Sequence, residues 1–311
     1  MIRVTIDIFS GRENPSWLLD EQAARTFLRE IALNRSVVSD DAIESVRLGY
    51  RGTRVETLHE HIHEEFNLPA TFTLASGASA ADGKAIEIVE RLIGEAGSSA
   101  ATPRSRSKRG GPQSDAPAQD ATQELADPKF RKFLRDEVSG SPPPRHATAP
   151  AGGPSADATG VAPCAFETLP FTPAFWNDPA HVRINNCYAY ATNRRTDTFP
   201  QPGRASGHPA QAMACPNVTA ASISDGAHQA NNCFPDTARP RLYVAMVIWP
   251  GRDYHWYRFH SEGFWGHKPG QTPARNVDNS NVVIKNPETC NRGGYTSFCG
   301  YFLIPNNIRV T

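Results

Sequence analysis

A long stretch near the middle of the chain constrains the fold most, because its composition cannot support a packed core. Residues 97–160 consist largely of Gly, Ser, Pro and Ala, with a basic run at Arg104–Arg109. Such a segment buries too little apolar surface to offset the entropy lost on ordering, so it predicts a linker. Within it, residues 127–138 favour a short docking helix. The basic run is interpreted as solvated linker, with an anion contact as the alternative.

The linker divides the 311 residues into two parts of ordinary domain size, 1–96 and 161–311. The first part mixes strand and helix patterns, which predicts a small α+β domain of unknown role. Its expected elements are a strand over Arg3–Phe9, a helix over Asp20–Leu33 with Asp20 as N-cap, short strands at 45–49 and 70–75, and a helix capped by Asp82.

The second part carries the longest apolar strand pattern of the chain. Tyr243–Trp249 is nearly all apolar and predicts a buried central strand. After a turn, Tyr254–Phe259 and Phe264–Lys268 predict a hairpin, and Ser297–Ile304 predicts a last strand. The whole chain is therefore predicted to be α+β, with a central antiparallel sheet in its C-terminal domain.

Charge and hydropathy exclude several classes of protein. Lys plus Arg and Asp plus Glu are both 32, so the chain has no electrostatic footprint for nucleic acid or an anionic membrane. No apolar run approaches the roughly 20 residues that a membrane span needs. Residues 1–9 alternate instead of forming an apolar signal core. We expect synthesis in the cytoplasm, with export left open to a route that needs no cleavable signal.

The six cysteines all lie in the second part, and no pair has C-x-x-C spacing. Without a signal sequence, disulfides are not the default expectation. Cys215, Cys233, Cys290 and Cys299 are predicted to be buried thiols; two disulfides or a four-cysteine metal site are the alternatives.

Cys187 is the candidate nucleophile of the chain. It follows Asn185 and Asn186, which suit a helix N-cap, so the thiol is expected in the first turn of a helix. Free amide groups and the helix dipole stabilise a thiolate at that position. A buried cysteine that packs as a small apolar residue is the alternative.

Two histidines are placed to serve such a thiol. His255 lies at the start of the predicted hairpin and His267 lies 12 residues later. A loop with an odd number of residues, centred on Glu262, pairs Tyr257 directly with His267 and puts His255 on the same face. The two imidazoles then lie one diagonal step apart, at roughly 7–8 Å between backbones. An even-numbered loop would put them on opposite faces.

Residues 184–268 resemble the catalytic core of the NlpC/P60 cysteine peptidases, a papain-like family that cleaves peptide bonds in bacterial cell walls. Cys187 matches the family's helix-start cysteine, His255 in Asp253-Tyr254-His255-Trp256-Tyr257 its strand-start histidine, and His267 its third polar residue. The chain departs from the family at Asn186-Cys187-Tyr188-Ala189, where Asp-Cys-Ser-Gly is usual, and in the bulky residues after His255. These departures leave the substrate open.

The resemblance implies a thiol hydrolase, a peptidase or amidase. In that mechanism His255 deprotonates Cys187, the thiolate attacks an amide carbonyl, and His267 fixes the tautomer of His255. Asp278 and Asn279 are reserve candidates for the orienting role. Candidate substrate-binding residues are Tyr188, Trp256, Trp265 and Lys268. A peptide or amide, by family likeness cell-wall peptide, is the expected substrate, and no cofactor is predicted. A bacterial toxin or lysis factor would suit a cell-wall fold without a signal sequence.

Other hypotheses use the same residues differently. The domain is alternatively a non-catalytic binding module that holds a ligand on its aromatic cluster (Trp249, Tyr254, Trp256, Tyr257, Trp265), or a thiol acyltransferase. A partner protein could dock on the N-terminal domain or the linker. His59, His61 and His63 would share a strand face suited to a metal, but their surroundings favour a solvated helix and no metal site is predicted. His208, His228 and His260 are expected at the surface.

Overall fold

The computed structural model describes residues 1–39, 47–58, 61–96, 121–140, 164–231, 233 and 238–311. The chain contains helices and two five-stranded antiparallel sheets, which confirms the predicted α+β class. It divides into two compact units. The N-terminal unit holds the first sheet. The C-terminal unit holds the second sheet and also includes Phe9–Glu13 and a short stretch that ends at Leu48.

The N-terminal unit is an antiparallel sheet of strand order β2-β1-β4-β5-β3 with helices packed around it. Its elements are β1 (Ile2–Asp7), β2 (Ser16–Leu19), α1 (Glu21–Leu33), β3 (Val38–Ser39), β4 (Gly52–Thr57), β5 (Thr71–Leu74), α2 (Gly83–Glu95), α3 (Ala121–Glu124) and α4 (Pro128–Ser139).

The two helix starts predicted in this unit are confirmed by their caps. Asp20 accepts a hydrogen bond from the amide of Ala23, and Asp82 accepts from the amides of Lys84 and Ala85. These caps satisfy backbone donors that a helix leaves free at its first turn. The strand expected at 45–49 falls partly outside the described residues, and the strand that follows lies at Gly52–Thr57 instead.

A helix is present near the position expected within the linker, at Pro128–Ser139. It buries Phe130, Leu134 and Val138 and packs against α2, so the N-terminal unit extends beyond residue 96. Most of the remaining predicted linker, including Arg104–Arg109, lies outside the described residues.

The C-terminal unit contains an antiparallel sheet of order β6-β10-β7-β8-β9. Its elements are α5 (Pro173–Asn177), α6 (Cys187–Ala191), α7 (Cys215–Asp225), β6 (His228–Gln229), β7 (Leu242–Trp249), β8 (Asp253–Phe259), β9 (Trp265–His267) and β10 (Ser297–Ile304). All eight residues of β7 are buried, as expected for a central strand.

The register of the β8–β9 hairpin is the one predicted. Tyr257 pairs with His267 and Phe259 pairs with Trp265, so five residues form the loop. Because side chains alternate along a strand, this odd loop puts His255 and His267 on one face.

Two disulfides join distant parts of the C-terminal unit. Cys164 bonds Cys233 and Cys215 bonds Cys299, while Cys187 and Cys290 are free and buried. The expectation of buried thiols is therefore wrong for Cys215, Cys233 and Cys299, and neither bond joins cysteines that are neighbours in sequence. The bond between α7 and β10 links a helix to the sheet, a pairing that sequence spacing does not encode.

Two of the three histidines near residue 60 that were weighed as metal ligands lie in the part of the chain that the structure describes. His59 lies outside the described residues, whereas His61 and His63 precede a short 3-10 turn at Glu64–Phe66 and contact Glu64 and Thr57. Within the described ranges, no group of three or more His, Cys, Asp or Glu side chains could hold a metal ion. In the same ranges, no helix has the length and hydropathy of a membrane span.

Candidate functional site

Cys187 begins α6, as predicted, and Asn186 is the N-cap. The Asn186 side chain accepts hydrogen bonds from the amides of Tyr188 and Ala189 at 3.1 and 3.0 Å. This helix is only five residues long, so few peptide dipoles are aligned toward the thiol. The helix start therefore offers Cys187 much less stabilisation of a thiolate than the sequence pattern suggested.

The thiol itself is sealed from solvent. Cys187 has no exposed surface, and its sulfur lies 3.8 Å from the carbonyl oxygen of Tyr254. Burial, together with the nearby carboxyl of Asp253, raises the pKa of the Cys187 thiol well above its usual range. Cys187 is thus a protonated thiol at neutral pH, which is neither a strong nucleophile nor accessible to a reagent.

His255 and His267 meet as the hairpin register requires. The Nε2 atom of His255 lies 2.8 Å from Nδ1 of His267, and Nε2 of His267 lies 3.0 Å from the carbonyl oxygen of Val277. A carbonyl only accepts, so Nε2 of His267 carries a proton. Burial lowers the pKa of His267 to about 3, which keeps the ring neutral and leaves its Nδ1 as an acceptor. We infer that Nε2 of His255 donates to His267.

The same logic fixes the other nitrogen of His255. In a neutral ring that donates through Nε2, Nδ1 is an acceptor, and it lies 2.6 Å from the hydroxyl of Ser10. The backbone carbonyl of Ser10 also accepts from the amide of Cys187 at 3.5 Å. A catalytic base would direct the lone pair of its ring nitrogen toward the thiol. In His255 the lone pair of Nδ1 instead accepts from the hydroxyl of Ser10, which lies in the loop that follows β1.

Asp253 fixes that loop in place. This fully buried carboxylate accepts from three successive backbone amides, those of Ser10 at 2.5 Å, Gly11 at 3.2 Å and Arg12 at 2.9 Å. The hydroxyl of Tyr295 donates to it as well. Burial raises the pKa of Asp253, while these hydrogen bonds act in the opposite direction. Asp253 thus anchors the residues that cover Cys187 and His255.

The opposite edge of the loop is held through the carbonyl of Gly11. That oxygen accepts from the side chains of Asn186 at 2.8 Å, Gln201 at 2.7 Å and Tyr254 at 3.1 Å. A Cβ on Gly11 would lie 2.4 Å from the Tyr254 ring, so no other residue fits without displacing it. We call Ser10–Arg12 the clasp segment from here on.

Lys268, a candidate for binding a substrate carboxylate, has a different place. Its ammonium group has no exposed surface and donates to three backbone carbonyls, those of Val182, Asn185 and Gly270, at 2.5–2.6 Å. Two of these carbonyls belong to the turn before α6. Lys268 therefore organises the backbone that leads to Cys187.

The aromatic candidates for substrate binding lie in the core. Tyr188, Trp256 and Trp265 are at most 1% exposed, and the hydroxyl of Tyr188 donates to Asp225 at 2.9 Å. The other rings of the aromatic cluster are also buried, Trp249 being the most exposed at 9%. No ring of this cluster is available as a stacking platform.

The two reserve orienting residues organise loops. Asp278 accepts from the amides of Ser280, Val282 and Asn291, and Asn279 pairs with both backbone groups of Leu48. His260, expected at the surface, is fully buried and hydrogen-bonds the hydroxyl of Tyr190 at 2.6 Å. His260 directly follows β8, and its amide donates to the carbonyl of Phe264 within the hairpin loop. The hairpin therefore holds this residue in the core.

The sequence patterns did not point to Ser10, Gly11 or Asp253 as residues of the site. The clasp segment is 241–245 residues from its partners Asp253 and His255, and no local pattern reports such a pairing. One signal was present: Asp253 is the first residue of a strand whose first six residues are all buried, so its carboxylate required a partner.

These features define a class of protein: a disulfide-bonded α+β chain with a buried thiol–imidazole cluster closed by its own N-terminal loop. The chain is similar to insoluble matrix shell protein 1 of Ruditapes philippinarum, with 44% identity over 140 residues. The match covers 45% of this chain and 93% of the relative, so the chain belongs to the family of that protein. No family model matches the chain. No solved structure matches it either.

The family overturns the functional prediction. A relative that is a matrix shell protein identifies neither a thiol hydrolase nor a bacterial cell-wall toxin, so the prediction of a cysteine peptidase or amidase is wrong. The burial of the site gives the physical reason why a Cys-His sequence pattern that is typical of a hydrolase does not produce a reactive thiol here. The hydroxyl of Ser10 hydrogen-bonds Nδ1 of His255, and burial keeps the thiol of Cys187 protonated.

Proposed function

We propose that this chain is a non-catalytic structural component of an insoluble extracellular matrix. The observation that carries the proposal is the 44% identity to insoluble matrix shell protein 1 across 93% of that protein. At this identity the 140 matched residues share a fold and a core with the relative, and the closed surroundings of Cys187 in this chain fit a shared structural role.

The disulfides support the extracellular part of the proposal. Bonds such as Cys164–Cys233 and Cys215–Cys299 persist in oxidising compartments and are rare in the cytosol. According to this proposal, the chain is made in the cytoplasm and is then exported. Its two bonds then stabilise the C-terminal unit outside the cell.

The buried cluster supports the non-catalytic part. Ser10, His255 and His267 form one directional hydrogen-bond chain that ends on the Val277 carbonyl. Such a fully satisfied polar network rigidifies a core. We also propose that the C-terminal unit keeps an NlpC/P60-like layout without its chemistry, its cysteine and histidines now serving the packing of the unit.

Fractionation of the organism tests the location. An antibody against the C-terminal unit is expected to detect the protein in the extracellular fraction that detergent does not extract. Detection confined to the cytosol would reject the proposal. An abundant cytosolic protein of the same organism, followed through the same fractions, controls for leakage.

Alkylation tests the absence of thiol chemistry. Iodoacetamide at neutral pH is expected to leave Cys187 and Cys290 unmodified in the native protein, because both are buried and burial raises the pKa of Cys290 to about 12. In denaturant without reductant, both are expected to react, and peptide mass spectrometry counts them. Selective labelling of Cys187 in the native protein, lost in His255→Ala, would contradict the proposal.

A further inference from the structure

The clasp segment belongs to one unit while its neighbours in sequence belong to the other. β1 ends at Asp7 and β2 begins at Ser16, and both strands lie in the N-terminal unit. The loop Phe9–Glu13 between them is part of the C-terminal unit. A pentapeptide of the N-terminal half therefore completes the packing of the C-terminal half.

The groups that hold this segment form a receptor for a short peptide. Asp253 binds three successive amides, His255 accepts from the serine hydroxyl, and three side chains bind the glycine carbonyl. The Tyr254 ring excludes any side chain at the middle position. The receptor is thus specific for a Ser-Gly-X sequence in one backbone conformation, with X contributing its amide.

The third residue adds a contact of its own. The guanidinium of Arg12 donates to the carbonyl of Arg252 at 2.6 Å and lies 4.9 Å from the centre of the Phe9 ring. Arg12 is only 3% exposed, so this charge is held by the carbonyl at the end of the β7–β8 turn. The receptor favours arginine at this position for that reason.

We propose that the receptor also takes the clasp segment of a second copy of this chain, so that copies link head to tail. Each contact described above joins the loop to the C-terminal unit. The same hydrogen bonds therefore form whichever copy supplies the loop, and exchange of an identical element is a low-cost route to assembly. Segment and receptor are different surfaces, so a row of linked copies keeps one of each at its ends and grows unless it closes on itself.

This inference rests on the proposed function, and it supplies the partner that an insoluble matrix needs. Covalent connection gives the segment of the same copy an effective concentration in the millimolar range. Exchange between copies therefore prevails only when the protein is concentrated to a similar level. The state with each loop in its own receptor is the dilute, soluble form.

Two complementary variants test the proposal on the full chain. Gly11→Ala spoils the segment through its clash with Tyr254 but leaves the receptor intact. Asp253→Asn disrupts the receptor, because the NH2 group of the new side chain would face backbone amides that donate to the carboxylate in the wild type. It leaves the segment intact. Light scattering after size-exclusion chromatography measures the mass of each protein from the micromolar range to about 1 mM.

The wild-type mass is expected to rise with concentration beyond that of a dimer. Each variant alone is expected to remain a monomer, since every link needs one intact segment and one intact receptor. Their equimolar mixture is expected to reach twice the monomer mass and no more, because only one productive link remains. A wild type that stays monomeric at every concentration overturns the proposal, and so does a mixture without dimers.

Matched controls separate assembly from folding. Gly94→Ala adds a methyl group where nothing lies within 4 Å, and Asp136→Asn removes an exposed carboxylate that pairs with Lys132; both are expected to assemble as the wild type does. If Gly11→Ala or Asp253→Asn loses its circular dichroism spectrum, Ser10→Pro and Gln201→Glu replace them in the same mixture. A monomeric wild type found in the insoluble extracellular fraction would reject the linkage and leave the proposed function standing.

Discussion

The two units differ in how many charged side chains they bury, although both bind them partly through backbone groups. In the described part of the N-terminal unit, Arg51 is the one buried side chain that carries a charge, and it pairs with Asp7 at 2.6 Å. The C-terminal unit buries Asp253, Arg258 and Lys268. Backbone groups bind all three: three amides at Asp253, three carbonyls at Lys268 and the Tyr190 carbonyl at Arg258. Backbone groups are fixed by the fold, so charges held in this way tie the stability of the C-terminal unit to its exact chain path.

The largest expected effect on the free energy of unfolding comes from the two disulfides of the C-terminal unit. All six cysteines lie in the C-terminal half, and each disulfide closes a loop of 69 or 84 residues. Reduction is expected to destabilise the C-terminal unit by about 2–5 kcal/mol per bond. Tryptophan fluorescence during urea unfolding reports this, since four of the five tryptophans belong to that unit. An unchanged midpoint after reduction would remove the distinction.

Loss of a single buried charge ranks next. Lys268→Met leaves three buried carbonyls without their donor, and we expect a loss of about 3–5 kcal/mol in the free energy of unfolding. Lys285→Met is the matched control, because Lys285 is exposed and donates to one carbonyl; its effect should stay within about 0.5 kcal/mol. Equal effects in the two variants would show that backbone solvation of Lys268 is unimportant.

Buried histidines make the C-terminal unit sensitive to pH. Burial lowers the pKa of His260 to about 4 and that of His267 to about 3, whereas both titrate near 6.5 when unfolded. The unfolded chain then binds more protons, so stability is full above pH 6.5 and falls as the pH drops toward the folded values. The expected slope is about 1.4 kcal/mol per pH unit for each histidine. Urea midpoints between about pH 7.5 and 5 measure it.

His260→Gln isolates one of these contributions. The variant is expected to be less stable at neutral pH, having lost the bond to Tyr190, but to show about half the pH slope of the wild type. A slope equal to that of the wild type would mean that His260 does not titrate differently on folding.

The smallest expected effect is a gain, in the N-terminal unit. Gly94 lies in α2, is exposed and has open space around its Cβ position. Gly94→Ala should raise the free energy of unfolding by about 0.5–1 kcal/mol through helix propensity. Circular dichroism melts measure this gain, and a loss would indicate a neighbour of Gly94 that the static contacts do not reveal.

Much of the fold follows from local patterns. The caps at Asp20, Asp82 and Asn186 were predictable because a short polar side chain before an apolar helical repeat satisfies its first amides. The β8–β9 register was predictable because alternation fixes which loop lengths put two histidines on one face. Strands β2 and β4 and helix α7 were missed, since their patterns are short or weakly amphipathic.

The site was predictable only in part. The neighbourhood of His255 and His267 followed from one hairpin, whereas Ser10 reaches His255 from 245 residues away. Whether a cysteine at a helix start is a nucleophile depends on what covers it, and the cover here is a loop from a distant part of the chain. Burial then sets the pKa values of Cys187 and His267, and neither burial nor long-range pairing is written in the spacing of residues.

Because Phe9–Glu13 is part of the C-terminal unit, a cut of the chain at the linker would divide that unit. A gene fragment that begins after the linker would encode a C-terminal half with Asp253 facing no amides and Gly11 absent from the Tyr254 ring. Selection on that half therefore also acts on the five codons for Phe9–Glu13. Among relatives, substitutions at residues 9–13 should covary with those at 253–255, whatever happens to the strands on either side.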